Sequence, residues 1–164
     1  MDDAARRGRA VGEGYCMTLE ITVDEIGDPE FAAAIEEIVD EPAARRGHPF
    51  DPVPLHLKAV DADGRLAGGL TAHSVQRWLF VKLLGVTEEQ RGSGLGRRLL
   101  ARAEEIARQR GLVGVYLDTF EFQAPRFYES LGYKECGRLP AHDGAPQRIW
   151  FAKTFDIAGA VQAQ

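Results

Sequence analysis

Val86-Thr87-Glu88-Glu89-Gln90-Arg91-Gly92-Ser93-Gly94-Leu95-Gly96-Arg97-Arg98-Leu99-Leu100 is the stretch whose reading decides the fold. An apolar run ends at Val86, a polar turn follows, and glycines at 92, 94 and 96 lead into a helical pattern. Glycines there let the backbone take positive φ and let a ligand approach it closely. Consecutive N–H groups at a helix start, aided by the helix dipole, make an anion site. The arginines point the same way. A helix N-terminus favours acidic side chains, yet this one carries Arg91, Arg97 and Arg98 around its first turn. An anion bearing several phosphates turns that local cost into a gain.

Outward from this stretch, the chain alternates strands and helices. Before it, Trp78 to Val86 is the most apolar strand, interrupted only by Lys82, which predicts a central place in a sheet. Leu55–Asp61 and Arg65–Ser74 flank the hairpin turn Asp63-Gly64. Asp28-Pro29 reads as an N-cap and first helical position, with Phe31, Ile35 and Ile38 at helical spacing and a helix running to about Ala44. Met17 to Val23 alternates with period two and predicts a strand.

After the glycines, Leu95, Leu99, Ala103, Ile106 and Ala107 form the apolar stripe of a helix from Gly94 to about Arg110. Glu104 and Arg108 read as a helpful polar i,i+4 pair. Leu112–Thr119 is then a strand, and the strand–helix–strand order predicts a parallel pair with a right-handed crossover. A short helix over Ala124–Leu131 and strands over Tyr133–Arg138 and Gln147–Thr154 complete the pattern. The expected organisation is a tail over residues 1–14, one α/β (α+β) domain over 15–156 and a second tail over 157–164. Its sheet has six to seven strands, mixed and mostly antiparallel, with flanking helices.

Composition narrows the function. The 164 residues carry a formal charge of -5, against the basic field a nucleic-acid binder needs. Two cysteines, Cys16 and Cys136, make neither a CxxC pair nor a disulfide framework. The four histidines lack metal-ligand spacing, so no metal is expected. The absence of a membrane-length apolar run or a signal-like N-terminus leads to the expectation of a cytoplasmic protein without a membrane partner.

Two other nucleotide motifs compete for the glycines. A P-loop needs Gly-Lys-Ser/Thr where this chain has Gly96-Arg97-Arg98. A dinucleotide fold needs GxGxxG, which the spacing of 92, 94 and 96 does not give, although Asp118 stands where its acidic residue belongs.

Arg91-Gly92-Ser93-Gly94-Leu95-Gly96 resembles the coenzyme A motif, Gln/Arg-x-x-Gly-x-Gly/Ala, of the GCN5-related N-acetyltransferases. Ala124-Pro125-Arg126-Phe127-Tyr128-Glu129-Ser130-Leu131-Gly132-Tyr133 resembles their later motif, in the same order along the chain. The run Leu117–Ala124 is similar to a bacterial subgroup of largely unassigned substrate, whose members tend to carry an acidic residue where this chain has Lys82.

The resemblance implies a splayed pair of parallel strands that admits the thioester of acetyl-CoA. Leu84, Gly85 and Val86 would meet the acetyl-pantetheine arm, and Arg91, Gly92, Ser93, Gly94, Leu95, Gly96 and Arg97 would wrap the pyrophosphate. Gln123 and Phe127 would lie beside the cosubstrate. Tyr128 would be the general acid: a phenol with a pKa of about 10 keeps a proton to offer the departing thiolate.

For a base, Glu121 is the leading candidate, with Glu88, Asp118 or a water chain as alternatives. The expected reaction is acetyl transfer to a primary amine of a small molecule or a protein. A non-catalytic acyl-CoA sensor is the alternative, and longer acyl groups and a homodimer both stay open.

Overall fold

A computed structural model of the chain describes residues 21–23 and 26–156. Both expected tails, 1–14 and 157–164, lie outside these residues. Of the strand expected over Met17–Val23, residues 21–23 are described; they belong to no strand, and Ile21 and Val23 are exposed.

Helix α1 (Pro29–Arg45) starts where the sequence indicates. The Asp28 carboxylate accepts hydrogen bonds from the amides of Glu30 and Phe31, two of the four amides a helix start leaves unpaired. None of its residues is buried, and its stripe of Phe31, Ile35 and Ile38 faces solvent. This helix is fixed by its cap and its alanines rather than by burial of the stripe.

Six strands form one sheet: β1 (Val53–Val60), β2 (Leu66–Val75), β3 (Trp78–Val86), β4 (Gly114–Phe120), β5 (Lys134–Arg138) and β6 (Arg148–Thr154), in the order β1-β2-β3-β4-β6-β5. All neighbours are antiparallel except β3 and β4. The β2–β3 hairpin turns through Gln76 and Arg77, both with positive φ, as a two-residue turn of matching twist requires. The Gln76 side-chain amide donates to the carbonyls of His48 and Pro49 at 2.8 and 2.9 Å, tying the loop after α1 to this turn.

Helix α2 (Leu95–Gln109) covers one face of the sheet with Leu99, Leu100, Ala103 and Ala107. Beneath it lie Leu70, Leu79, Val115, Leu117 and Phe151, nearly all fully enclosed. Helix α3 (Pro125–Ser130) joins β4 to β5 and adds Tyr128 to the same core.

Glu104, which the sequence pairs with Arg108 at i,i+4, is buried here. Its carboxylate accepts from the Tyr133 hydroxyl at 3.0 Å, from the Lys153 ammonium at 2.8 and 3.0 Å and from Arg108 at 3.3 Å. Lys153 also donates to the carbonyl of Leu131, at the end of α3. One buried carboxylate therefore ties α2 and β6 to the end of the short helix.

Candidate active site

The site begins where strand pairing ends. β3 and β4 are paired from Trp78↔Gly114 to Val81↔Leu117 and no further. At that point β3 shifts register against β2 between Thr71 and Ala72, so that Lys82 has no opposite number. Such a bulge increases local twist and bends the strand away from its neighbour. Lys82 thus marks the bend, which is why a lysine fits in the middle of an apolar strand. Beyond it, Leu84, Gly85 and Val86 pair only with β2 and leave a gap beside β4.

A cleft of about 520 Å³ opens from this gap on the α2 side. Leu84, Gly85, Val86, Arg91, Gly92, Gly94, Leu95, Gly96, Arg97, Phe127 and Tyr128 all line it, together with Gln90 and Ala124, which sequence reasoning missed. A single turn of 3-10 helix over Glu88–Gln90 brings Gln90 round to the wall. Gly92 and Gly94 have φ of 75° and 81°, so the loop uses the left-handed backbone expected of its glycines. At Gly96 the backbone is ordinary helix and an added Cβ would meet the Phe127 ring at 3.5 Å, a normal contact, so neither strain nor packing demands glycine there.

The amides of Gly92, Gly94, Gly96 and Arg97 donate to no protein atom among the described residues. Four free donors beside Arg91 and Arg97 fit the pyrophosphate of a coenzyme A. The lower cleft, with Leu84, Val86 and Phe127, fits an extended, less polar arm.

Three expected residues lie elsewhere. The Ser93 hydroxyl donates to the Gln90 carbonyl at 2.7 Å and accepts from the Leu95 amide at 3.3 Å, closing the loop rather than lining the cleft. The Gln123 side-chain oxygen accepts from the Thr119 hydroxyl at 3.0 Å and the Phe120 amide at 2.9 Å, bracing the turn into α3. Glu121 is exposed beyond the end of β4, and its carboxylate accepts from the Gln147 amide at 3.3 Å.

Tyr128 packs against Phe127, Tyr133 and Phe151. Its hydroxyl has no hydrogen-bond partner among the described residues and is not sealed from the cleft. Burial, and then the charge of Asp118, push its phenol above the ordinary tyrosine range. Asp118 itself is the first residue of β4 past the last pair with β3, and Arg148 holds it at 2.6 Å.

A family model, the acetyltransferase (GNAT) family, matches residues 17–133. An acetyltransferase of Agrobacterium fabrum, Atu2258, is 36% identical over 138 residues, which cover 84% of this chain and all of that protein. The chain belongs to the GNAT acetyltransferase family. A blasticidin-S acetyltransferase of Streptomyces morookaense shares 44% over 102 residues, 60% of this chain and 75% of that one. The crystal structure of an acetyltransferase from Agrobacterium tumefaciens superposes with a TM-score of 0.75 at 36% identity, covering 84% of this chain and the whole of that one.

This chain is thus an acetyltransferase of the GNAT family, with a mixed sheet and a parallel β3–β4 pair that match the GNAT fold. Among the described residues, no helix is long and apolar enough to cross a membrane, and no group of three or more His, Cys, Asp or Glu could hold a metal.

Proposed function

We propose that this GNAT domain moves the acetyl group of acetyl-CoA directly to a primary amine, of a small molecule or a protein, with Tyr128 as the acid at the thiolate. The observation that carries this reading is Tyr128, which lines the cleft beside the gap between β3 and β4 and whose hydroxyl has no hydrogen-bond partner among the described residues. The relative named for blasticidin-S, a small molecule, supports the small-molecule branch.

Direct attack needs a neutral amine, a donor for the developing oxyanion and a hydrogen for the leaving sulfur. Backbone N–H groups on the β4-facing edge of Leu84–Val86 are suited to the second task, because that edge of β3 has lost its β4 partner while the other stays paired with β2. Tyr128 is suited to the third. Its raised pKa keeps it protonated throughout the neutral range. A phenol is a weaker acid than a thiol, so it first hydrogen-bonds the sulfur. The collapse of the tetrahedral adduct then carries the proton across. Arg91, Arg97 and the free amides of the glycine loop hold the pyrophosphate and fix the arm.

Thiol release from acetyl-CoA, followed across a panel of primary amines, tests the reading. Wild type should release thiol only when an amine is present. Tyr128→Phe should retain affinity for CoA, measured by calorimetry, while turnover falls at least ~10-fold. Unchanged turnover in that variant would remove Tyr128 from the mechanism. Tight CoA binding with no amine-dependent release by wild type would make the domain an acyl-CoA sensor instead.

A further inference from the structure

The two faces of the gap differ. On the α2 side, the glycine loop, Phe127 and Tyr128 surround the cleft. The opposite face is built by the residues that alternate with the core. Leu79, Val81, Val115, Leu117, Ile149 and Phe151 are buried toward α2. Period two therefore turns Phe80, Tyr116, Asp118, Phe120, Arg148 and Trp150 the other way.

Ring contacts build two clusters on this face. Phe80 and Tyr116 have centroids 4.9 Å apart, and the Arg148 guanidinium lies over Phe120 and Trp150 at 5.9 and 5.7 Å. If acetyl-CoA fills the α2 side, as the proposed function has it, the amine must reach the thioester across this aromatic face.

Asp118 is the carboxylate of that face at the gap. Its side chain is 13% exposed, and one oxygen accepts from the Arg148 Nε at 2.6 Å. The other oxygen has no hydrogen-bond partner among the described residues and is not closed off from solvent. Arg148 is thus a clamp that fixes the rotamer and leaves one acceptor oxygen over the gap. The charge of Asp118 is also felt by the Tyr128 phenol, raising its pKa after the larger effect of burial.

We propose that Asp118, clamped by Arg148, receives the ammonium form of the acceptor, and that the enzyme therefore selects alkylammonium groups attached to an apolar or ring-bearing body. The body lies on Phe80 and Tyr116, where ring faces favour both apolar surface and a nearby cation. The ammonium meets the free Asp118 oxygen, in a nearly enclosed site where a charged hydrogen bond is strong. Asp118 here recognises and positions the amine, and the proton leaves to solvent.

This inference rests on the proposed acetyl transfer to an amine, and the test separates the two. Two acceptors with the same ring-bearing skeleton are compared at pH 7.5. One is an alkylamine, protonated at that pH; the other is the O-alkylhydroxylamine, which is uncharged there. Asp118→Asn should raise KM for the alkylamine at least ~10-fold, the range of a lost charged hydrogen bond. KM for the O-alkylhydroxylamine and for acetyl-CoA should change less than about twofold.

Arg148→Met serves as the structural control, since it breaks the same ion pair but keeps the carboxylate. It should retain the preference for the charged acceptor. Equal losses on both acceptors in Asp118→Asn, no loss on either, or the same loss of preference in Arg148→Met would each overturn the assignment of Asp118 while leaving acetyl transfer intact. Absence of thiol release by wild type with either acceptor would overturn both readings.

Discussion

Replacing Glu104 by Gln should cost this fold more than any single surface change, and the structure sets the size of the effect. The side chain is 8% exposed and its carboxylate accepts hydrogen bonds from Tyr133, Lys153 and Arg108. Removing one partner of a buried ion pair typically costs about 3–5 kcal/mol, because the other charge is left behind. Here the orphan is Lys153, whose side chain is 26% exposed and still donates to the Leu131 carbonyl. Water and that carbonyl recover part of the loss, which places Glu104→Gln near the lower bound, at about 2–3 kcal/mol.

With a urea slope of roughly 2 kcal/mol/M, the unfolding midpoint should fall by about 1 M or more at unchanged slope. The decisive comparison is the double variant Glu104→Gln with Lys153→Met. It removes the orphaned charge and keeps an acceptor for the Tyr133 hydroxyl. It should be more stable than Glu104→Gln alone by at least ~1 kcal/mol, since neighbours in one network are not additive. A double variant as unstable as the sum of its singles would refute the reasoning, as would a loss of less than ~0.5 kcal/mol in Glu104→Gln.

Two further outcomes follow from the loop and the buried phenols. Gly94→Ala should lower the melting temperature through about 1–2 kcal/mol of backbone strain, since φ is 81° and no atom lies within 4 Å of the added Cβ; Gly96→Ala, inside the helix and at ordinary contact distance from Phe127, should not lower it. Thermal melts followed by circular dichroism check both. Stability should also fall with rising pH above about 10. Tyr133 is raised by burial and then by Glu104, and Tyr128 by burial and then by Asp118. The unfolded chain loses those protons near pH 10 while the folded chain holds them to higher pH, so Tyr133 withdraws up to ~1.4 kcal/mol per pH unit above that point and Tyr128 acts in the same direction. Urea titrations at pH 9, 10 and 11 should show a steeper loss in wild type than in Tyr133→Phe, whose one remaining phenol of this pair is Tyr128.

Most of the site's donor side was legible because it is written in backbone terms. Glycines at 92 and 94 mean positive φ, arginines at a helix start mean an anion, and an apolar run before them means a buried strand; each reading depends on a few adjacent residues. Gln90 and Ala124 were not legible, because they reach the cleft through a 3-10 turn and a strand-to-helix turn whose geometry no short pattern fixes. Position in a motif puts Gln123 and Ser93 beside the ligand, yet the Ser93 hydroxyl and the Gln123 side-chain oxygen are engaged within their own turns. Position in a sequence gives proximity, but only the hydrogen-bond inventory shows which groups remain free. The i,i+4 pair of Glu104 and Arg108 forms as read, but the carboxylate's other partners, Lys153 and Tyr133, are distant in sequence and only the fold reveals them.

The acceptor side turns on a count of two along one strand. Glu121 seemed the better-placed carboxylate because it follows the strand that carries the family's motif. Leu117 and Thr119 are both buried toward α2, which forces Asp118 to the opposite face at the residue where β3 leaves β4. Glu121 comes after the strand has ended, and its backbone and carboxylate both serve Gln147. Moving the carboxylate by three residues therefore moves it from an exposed turn to the mouth of the gap. The alternation of Val115, Leu117 and Thr119 was present in the sequence all along. What it lacked was the end point of the β3–β4 pairing, which depends on a bulge opposite Thr71 and Ala72, two strands away from Asp118. A local pattern fixes which way a side chain faces; where the sheet opens is a property of three strands together, and that is why the donor could be read before the acceptor.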